Sequence, residues 1–234
     1  LSQFVALIWQ FWIFSNPKEL IHLKRGIYSL RGDLMKNIIG IGISPFSMNV
    51  CACMVVIFIN NQLVRFGGDM SVGAFGIANR IVFIFVMFVM GINQGMQPIA
   101  GYNYGAQKLD RMMQVVKLSI IAATVIMILG WFLAMLAPRQ CVSLFTTDQH
   151  LIDTTVHGMR RMMLMLPIVG YQMVITNFFQ CIGKVKISIF LSLSRQLLFL
   201  LPALALLPIW FGLDGVWLAQ PVSDFIASVV TAWI

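Results

Sequence analysis

Charge is what this chain has least of. Only 10% of its 234 residues are Asp, Glu, Lys or Arg, against about 25% in an ordinary soluble domain. A water-facing shell cannot be assembled from so few, which excludes a conventional soluble fold. Catalytic groupings are also lacking. No Ser/His/Asp or Cys/His set shares one depth, and no glycine-rich loop leads into Lys-Ser/Thr, so ATP hydrolysis and other enzymatic chemistry are not expected. The four cysteines follow no disulfide or metal-ligand spacing. Cys51 and Cys53 lie on different faces of one helix, and Cys141 and Cys181 at opposite ends of one span, so all four read as free thiols and no metal site is expected. The net charge of +8 does not point to nucleic acid, because no basic stripe with interleaved aromatics accompanies it.

What is present is apolar mass. Hydrophobic residues make up 59% of the chain and its mean hydropathy is +0.88. They fall in blocks that approach or exceed the roughly 20 residues a helix needs to cross a bilayer. Residues 1–14 read as the end of a preceding transmembrane helix and residues 15–36 as a polar connection. Six spans follow over residues 38–64, 72–100, 118–137, 159–182, 187–211 and 215–234. A tight turn is expected at 65–69, a polar loop at 101–117, a longer outer connection at 138–157 and a short turn at 183–186. Leu1 opens in apolar sequence without a basic leader, and residues 228–234 stop in apolar sequence. Both ends read as cut from a longer protein. The expected fold class is an all-α polytopic membrane protein: a six-helix bundle over residues 37–234, truncated at its end.

Basic residues orient the map. Alternate connections carry Lys18, Lys24, Arg25, Arg31, Lys36, Lys108, Arg111, Lys117, Lys184 and Lys186. The others carry Arg65, Arg139, Arg160 and Arg161. The richer set belongs in the cytoplasm, which puts residues 15–36, 101–117 and 183–186 inside. A miscounted span would scramble this alternation.

The stretch from Gly91 to Ala106, GINQGMQPIAGYNYGA, is the densest signal. Gly91 and Gly95 are spaced to admit a neighbouring backbone. Pro98 removes a helix donor and is expected to bend or end the span. Gly101 and Gly105 punctuate a turn. Asn93, Gln94 and Gln97 place amides near the cytoplasmic end. The string, with Tyr104, resembles the signature closing the second helix of each lobe in the multidrug and toxic compound extrusion (MATE) transporters. Residues 74–81 (AFGIANRI) are similar to the opening of that helix in the C-terminal lobe. Leu193-Ser-Arg-Gln196 with Leu201-Pro202 resembles that lobe's fifth helix, and Gly215-Val-Trp217 with Gln220-Pro221 its sixth. The resemblance covers about residues 33–234.

The resemblance implies a twelve-helix antiporter of the bacterial inner membrane. Such a protein exports bulky, often cationic organic compounds in exchange for H+ or Na+. It implies an N-terminal lobe as partner, membrane lipids around both, no cofactor beyond the coupling ion, and a site between the lobes near mid-membrane. One departure stands out. Some members carry acidic coupling residues in the first and fourth helices of this lobe, whereas residues 38–64 and 159–182 contain no Asp or Glu. A Na+ site of that design is not expected, and a key carboxylate would then lie in the other lobe. Two other readings are a lipid-linked oligosaccharide flippase of a related superfamily, against which the Gly/Pro string argues, and a membrane-embedded enzyme or assembly protein.

Three ionisable residues fall inside spans, where charge is costly and marks function by default. Arg80, Arg195 and Asp224 each lie roughly 12–13 Å along their helices from a membrane edge at about 1.5 Å per residue, near mid-depth. Arg195 and Asp224 sit on consecutive antiparallel helices and are expected to pair, either as a structural lock or as part of an ion or substrate path. Arg80 then needs a watery cavity, backbone carbonyls or a carboxylate from outside this chain. Asn49, Asn60, Asn61, Gln62, Asn177 and Gln180 are candidate cavity groups or interhelical hydrogen-bonding groups. The methionines at 87, 90, 96, 159, 162, 163, 165 and 173 suit either an adaptable cavity or packing. Pro45 marks a gating break or a static kink. His22, His150 and His157, with Asp148 and Asp153, are expected to be solvated. The topology has a direct check: in a cysteine-free full-length background, Gly105→Cys and Lys184→Cys should both react with an impermeant maleimide only from the cytoplasmic side.

Overall fold

In the computed structural model, residues 2–15 and 32–233 are described. They divide into two compact units, residues 1–46 and 47–234. The expected connection over residues 15–36, with His22 and four of its five basic residues, lies mostly outside the described residues. In the first unit, α1 (Ser2–Phe14) is apolar and exposed all round. Trp9 and Trp12 meet on it with ring centroids 5.6 Å apart. The start of α2 (Gly32–Gly105) is helical through Pro45, with no break there.

The second unit holds the rest of α2, then α3 (Leu109–Leu136), α4 (Pro138–Ser143), α5 (Gln149–Met162), α6 (Leu166–Cys181), α7 (Val185–Leu193), a π-helical segment (Ser194–Leu200), α8 (Leu201–Phe211) and α9 (Leu213–Trp233). The stretch of α2 from Asn49 to Gly105 has 57 residues. Unbroken it would run about 85 Å at 1.5 Å per residue, far more than one crossing of a core about 30 Å thick. It is divided by one residue, Gly68, at φ 70° and ψ −176°, a region open essentially to glycine alone. The turn expected over residues 65–69 thus contracts to that single position. Gly67 beside it has no room for a side chain: a Cβ would lie 2.1 Å from Ser71 Oγ and 2.7 Å from Leu213 Cδ1.

With α2 crossing twice, the six spans become the two arms of α2, then α3, α5 with α6, α7 through α8, and α9. α5 and α6 are bent by 56° across Met163–Met165, where Pro167 lacks an N–H and its ring crowds the Met163 carbonyl. α9 has the length to cross, but Asp214, Gln220, Ser223 and Asp224 dilute its apolarity. The polar loop expected over residues 101–117 shrinks to 106–108, because α2 continues to Gly105 and α3 starts at Leu109. The helix also runs on through Pro98. That proline costs one donor, the partner of the Gln94 carbonyl, without ending the span.

Burial is inverted relative to a soluble protein. Phe83, Phe88, Leu118, Leu129 and Trp210 are exposed, whereas Asn93, Ser119, Gln172, Ser194, Ser223 and Asp224 are buried. This is the arrangement for a bundle whose outside meets hydrocarbon. Two apolar cores form inside. One gathers Val55, Ile59 and Leu63 of the first arm of α2 with Leu200, Leu204, Val216 and Ala219. The other gathers Ala74, Ala78, Ile81 and Val89 of the second arm with α3, α5 and α6. α3 buries Met112, Val116, Ser119, Ala123, Met127, Gly130 and Ala134, one face at three- and four-residue spacing. α6 packs tightly on it: a Cβ on Gly170 would lie 2.9 Å from the Ala123 carbonyl oxygen.

The end carrying α4 and α5 is more ordered than the sequence implies. Asp148 caps α5, its carboxylate accepting from the His150 N–H at 3.0 Å. Asp153 pairs with Arg139. His157 is not merely solvated: it sits beside Asp214 at 3.3 Å, and Asp214 also pairs with Arg161, tying α5 to α9. Cys141, buried in α4, has its thiol pushed up by desolvation. All four cysteines are free.

Trp217, 1% exposed, is the largest fully buried side chain. It meets Phe75 at 5.7 Å and leans on Gly158 of α5, where an added Cβ would lie 2.2 Å from its ring. Gly158→Ala should lower the thermal midpoint in detergent, with an overpacking cost of about 1–3 kcal/mol. Combining it with Trp217→Phe, which shrinks the ring, should cost less than the sum of the two single changes.

Candidate functional site

The polar groups of the second unit converge on one line through the bundle. Asp224 of α9, buried among apolar neighbours, accepts a 2.8 Å hydrogen bond from Arg195 Nε. Arg195 stands in the π-helical segment that joins α7 to α8. There the Leu201 N–H bonds to the Gln196 carbonyl, a five-residue reach, and Pro202 next to it can donate to nothing. The loosened backbone is held from outside as well: Ser223 Oγ donates to the Arg195 carbonyl at 2.8 Å. α9 therefore grips both the side chain and the main chain of Arg195. Such segments mark functional sites often enough to draw scrutiny.

Two cavities flank the pair. The first, about 210 Å³, is lined by Asn79, Val86, Leu166, Gln220, Asp224 and Arg195 among others. The second, about 280 Å³, is lined by Gln172, Thr176, Asn177, Ser192, Gln196 and Arg195 among others. Met173 and Arg195 belong to both walls. The lining residues advance along α2 from Asn79 to Met90 and along α6 from Val169 to Gln180, so the cavities stack along the helix axes. Asp224 borders only the first.

The structure brings together Arg195, Asp224, Asn177 and Gln180 of the candidates named from sequence. It leaves two apart. Arg80 is exposed on α2 and lines neither cavity, although Asn79 beside it does. Asn49 is exposed on the first arm of α2, away from both. Sequence reasoning missed Asn79, Gln220, Thr176, Ser192 and Gln196. Asn79 and Gln220 stand inside strings that carry the family resemblance, and their amides in an apolar run are the available signal.

The residues 91–105 string behaves differently from its spacing. A Cβ on Gly91, Gly95 or Gly105 would meet nothing within 4 Å, so among the described residues no neighbouring backbone packs on them. Gly101 lies nearest a neighbour, at 3.8 Å from the Cys181 carbonyl oxygen. Gln94 and Tyr104 are exposed, while Gln97 Nε2 donates to Asn177 Oδ1 at 3.2 Å. Asn93 is buried, and among the described residues neither of its amide atoms has a partner. The hydrogen bond from the string to α6 comes from Gln97, and Gly101 lies against the end of α6 at Cys181. Among the described residues no cluster of His, Cys, Asp or Glu is suited to a metal.

A kinked double-crossing helix, a bundle of apolar spans and a buried ion pair define a polytopic membrane protein. The MatE family model matches residues 43–204, and the chain belongs to the MATE family as a C-terminal lobe. Multidrug export protein MepA of Staphylococcus aureus strain MSSA476 is 24% identical over 216 residues, which is 92% of this chain and 47% of that protein. The MepA of Staphylococcus haemolyticus strain JCSC1435 is 26% identical over 201 residues, 84% of this chain and 44% of that protein. The chain thus spans about half the length of these relatives. Among solved structures, the MATE multidrug transporter DinF-BH superposes with a TM-score of 0.81 at 34% identity, over 99% of this chain and 52% of that one. A MATE structure in complex with MaL6 gives 0.83 at 20% identity, over 97% of this chain and 52% of that one, a likeness of fold. The protein is integral to a membrane.

Breaking a buried pair strands the remaining charge. Asp224→Ala and Arg195→Ala should each destabilise the folded protein by about 3–5 kcal/mol, whereas the apolar double change Arg195→Met with Asp224→Leu should restore most of that loss. Thermal unfolding of the detergent-purified full-length protein reads both.

Proposed function

We propose that this lobe belongs to a secondary exporter of organic compounds that works by alternating access against a gradient of H+ or Na+. The observation that carries the reading is the buried Arg195–Asp224 pair with a cavity on either side of it. Intramembrane ion pairs lining cavities are what coupled transport uses. The names of the relatives, multidrug export proteins and a multidrug transporter, support the substrate class of small, often cationic organic molecules. The missing half of those relatives' length supports an N-terminal lobe as partner.

In this reading residues 1–14 end the preceding helix, 15–36 connect the lobes and 37–234 form the lobe. The protein resides in the bacterial inner membrane with 15–36, 106–108 and 183–186 in the cytoplasm. Among the described residues Asp224 is the acidic side chain buried within the spans, which favours it over the first or fourth span for any proton uptake made by this lobe. The full-length gene, expressed in a host lacking its own pumps, should lower drug sensitivity and drive dye efflux that stops when the ion gradient is dissipated. Asp224→Asn should cut that efflux at least tenfold at equal membrane abundance. Unchanged drug sensitivity and dye retention with the wild-type gene would sink the exporter reading, and full efflux by Asp224→Asn would remove Asp224 from coupling.

A further inference from the structure

The two cavities differ in charge. Asp224 faces only the first, and the second has Arg195 as its one ionisable side chain. A guanidinium carries five N–H donors. Arg195 commits Nε to Asp224, and among the described residues its terminal nitrogens make no other hydrogen bond. That free edge is the fork that receives a carboxylate through two parallel bonds. The opposite need is present too. Gln172 and Gln196 line the second cavity, and among the described residues the Oε1 of each is buried without a partner, closed off from the cavity until the side chain turns toward a donor there. Buried carbonyl oxygens call for a donor. Met90, Met173 and Leu191 supply the apolar part of the wall, and thioethers pack well against a ring.

We infer that this second cavity is a binding site for a small carboxylate that also carries a hydroxyl donor on an apolar body. The carboxylate takes the terminal N–H groups of Arg195, the hydroxyl donates to Gln172 or Gln196, and the body lies on the methionines. The volume of about 280 Å³ falls just under the range of drug-sized sites. It therefore admits one ring with substituents. The first cavity, with Asp224, does not share this selectivity. The inference goes beyond the export reading and survives its failure, because binding is measured without transport.

The test uses the full-length protein in nanodiscs and two probes, 4-hydroxybenzoate and mandelate, each against its neutral amide. Isothermal titration, with thermal shift as a second readout, should give saturable binding of at least one carboxylate, with its amide at least tenfold weaker. Gln196→Glu places a competing carboxylate beside Arg195 and should abolish binding. Gln172→Leu removes the acceptor and should weaken binding about tenfold while leaving the Arg195–Asp224 pair in place. Thermal midpoints of the free variants near wild type establish that they are folded; if either variant is unfolded, Gln172→Met and Ser192→Asp take their places with the same expected losses. Absence of saturable binding by both carboxylates, equal binding of carboxylate and amide, or undiminished binding in the folded variants overturns the inference.

Discussion

Helices surrounded by lipid gain little by hiding apolar surface from one another, since the acyl chains are as apolar as leucine. Association must come from close approach and from polar groups that hydrocarbon will not accommodate. This bundle uses both. Gly158 yields to the Trp217 ring, Gly170 to the Ala123 carbonyl, Gly130 to the Phe85 ring and Gly215 to the Leu207 carbonyl. Each contact is one a side chain would block. The glycines that matter for packing are thus scattered through α2 (at Gly67), α3, α5, α6 and α9, and the conspicuous string on α2 contributes an amide bond to α6.

The polar half of the same constraint converges on Arg195. A lone guanidinium or carboxylate buried at this depth would be costly; together, with Ser223 holding the main chain, they become the fixed point between two cavities. The C-terminal half of α5 and the start of α9 are fastened separately, by Asp214 with Arg161 and His157. α9 is therefore anchored at its start by one ion pair and at its middle by another, with Trp217 wedged between. The result is a helix held at three heights along its length.

Much of this was legible in the residues. Long apolar blocks gave the spans, because only a helix satisfies its own backbone in lipid. Charge at matching depths on consecutive antiparallel spans brought Arg195 to Asp224. Connection lengths were less legible: Gly68 alone breaks α2, and Lys108 sits in a three-residue gap, because polar residues in a transporter's helix ends look like loop until the backbone is seen. Pro98 misled in the same way, since one missing donor near a helix end is tolerated. The cavity walls were hidden for another reason. Asn79, Thr176, Ser192 and Gln220 are isolated polar residues on different helices, and nothing in a linear string says they share a wall. Arg80 was the converse, an intramembrane charge whose surroundings lie outside the described contacts of this chain.

The π-helical segment from Ser194 to Leu200 carries slack that an α-helix lacks. Its hydrogen bonds reach one residue farther than those of the regular coil. Tightening that turn back to regular winding would swing the residues ahead of it by about 100° around the axis. Winding the surplus residue into the regular coil also adds about 1.5 Å of rise, so Arg195 would leave its carboxylate as the stretch ahead of it turns and advances by that small step, and the protein holds, in one surplus peptide unit, the means to trade one neighbour of its buried cation for another.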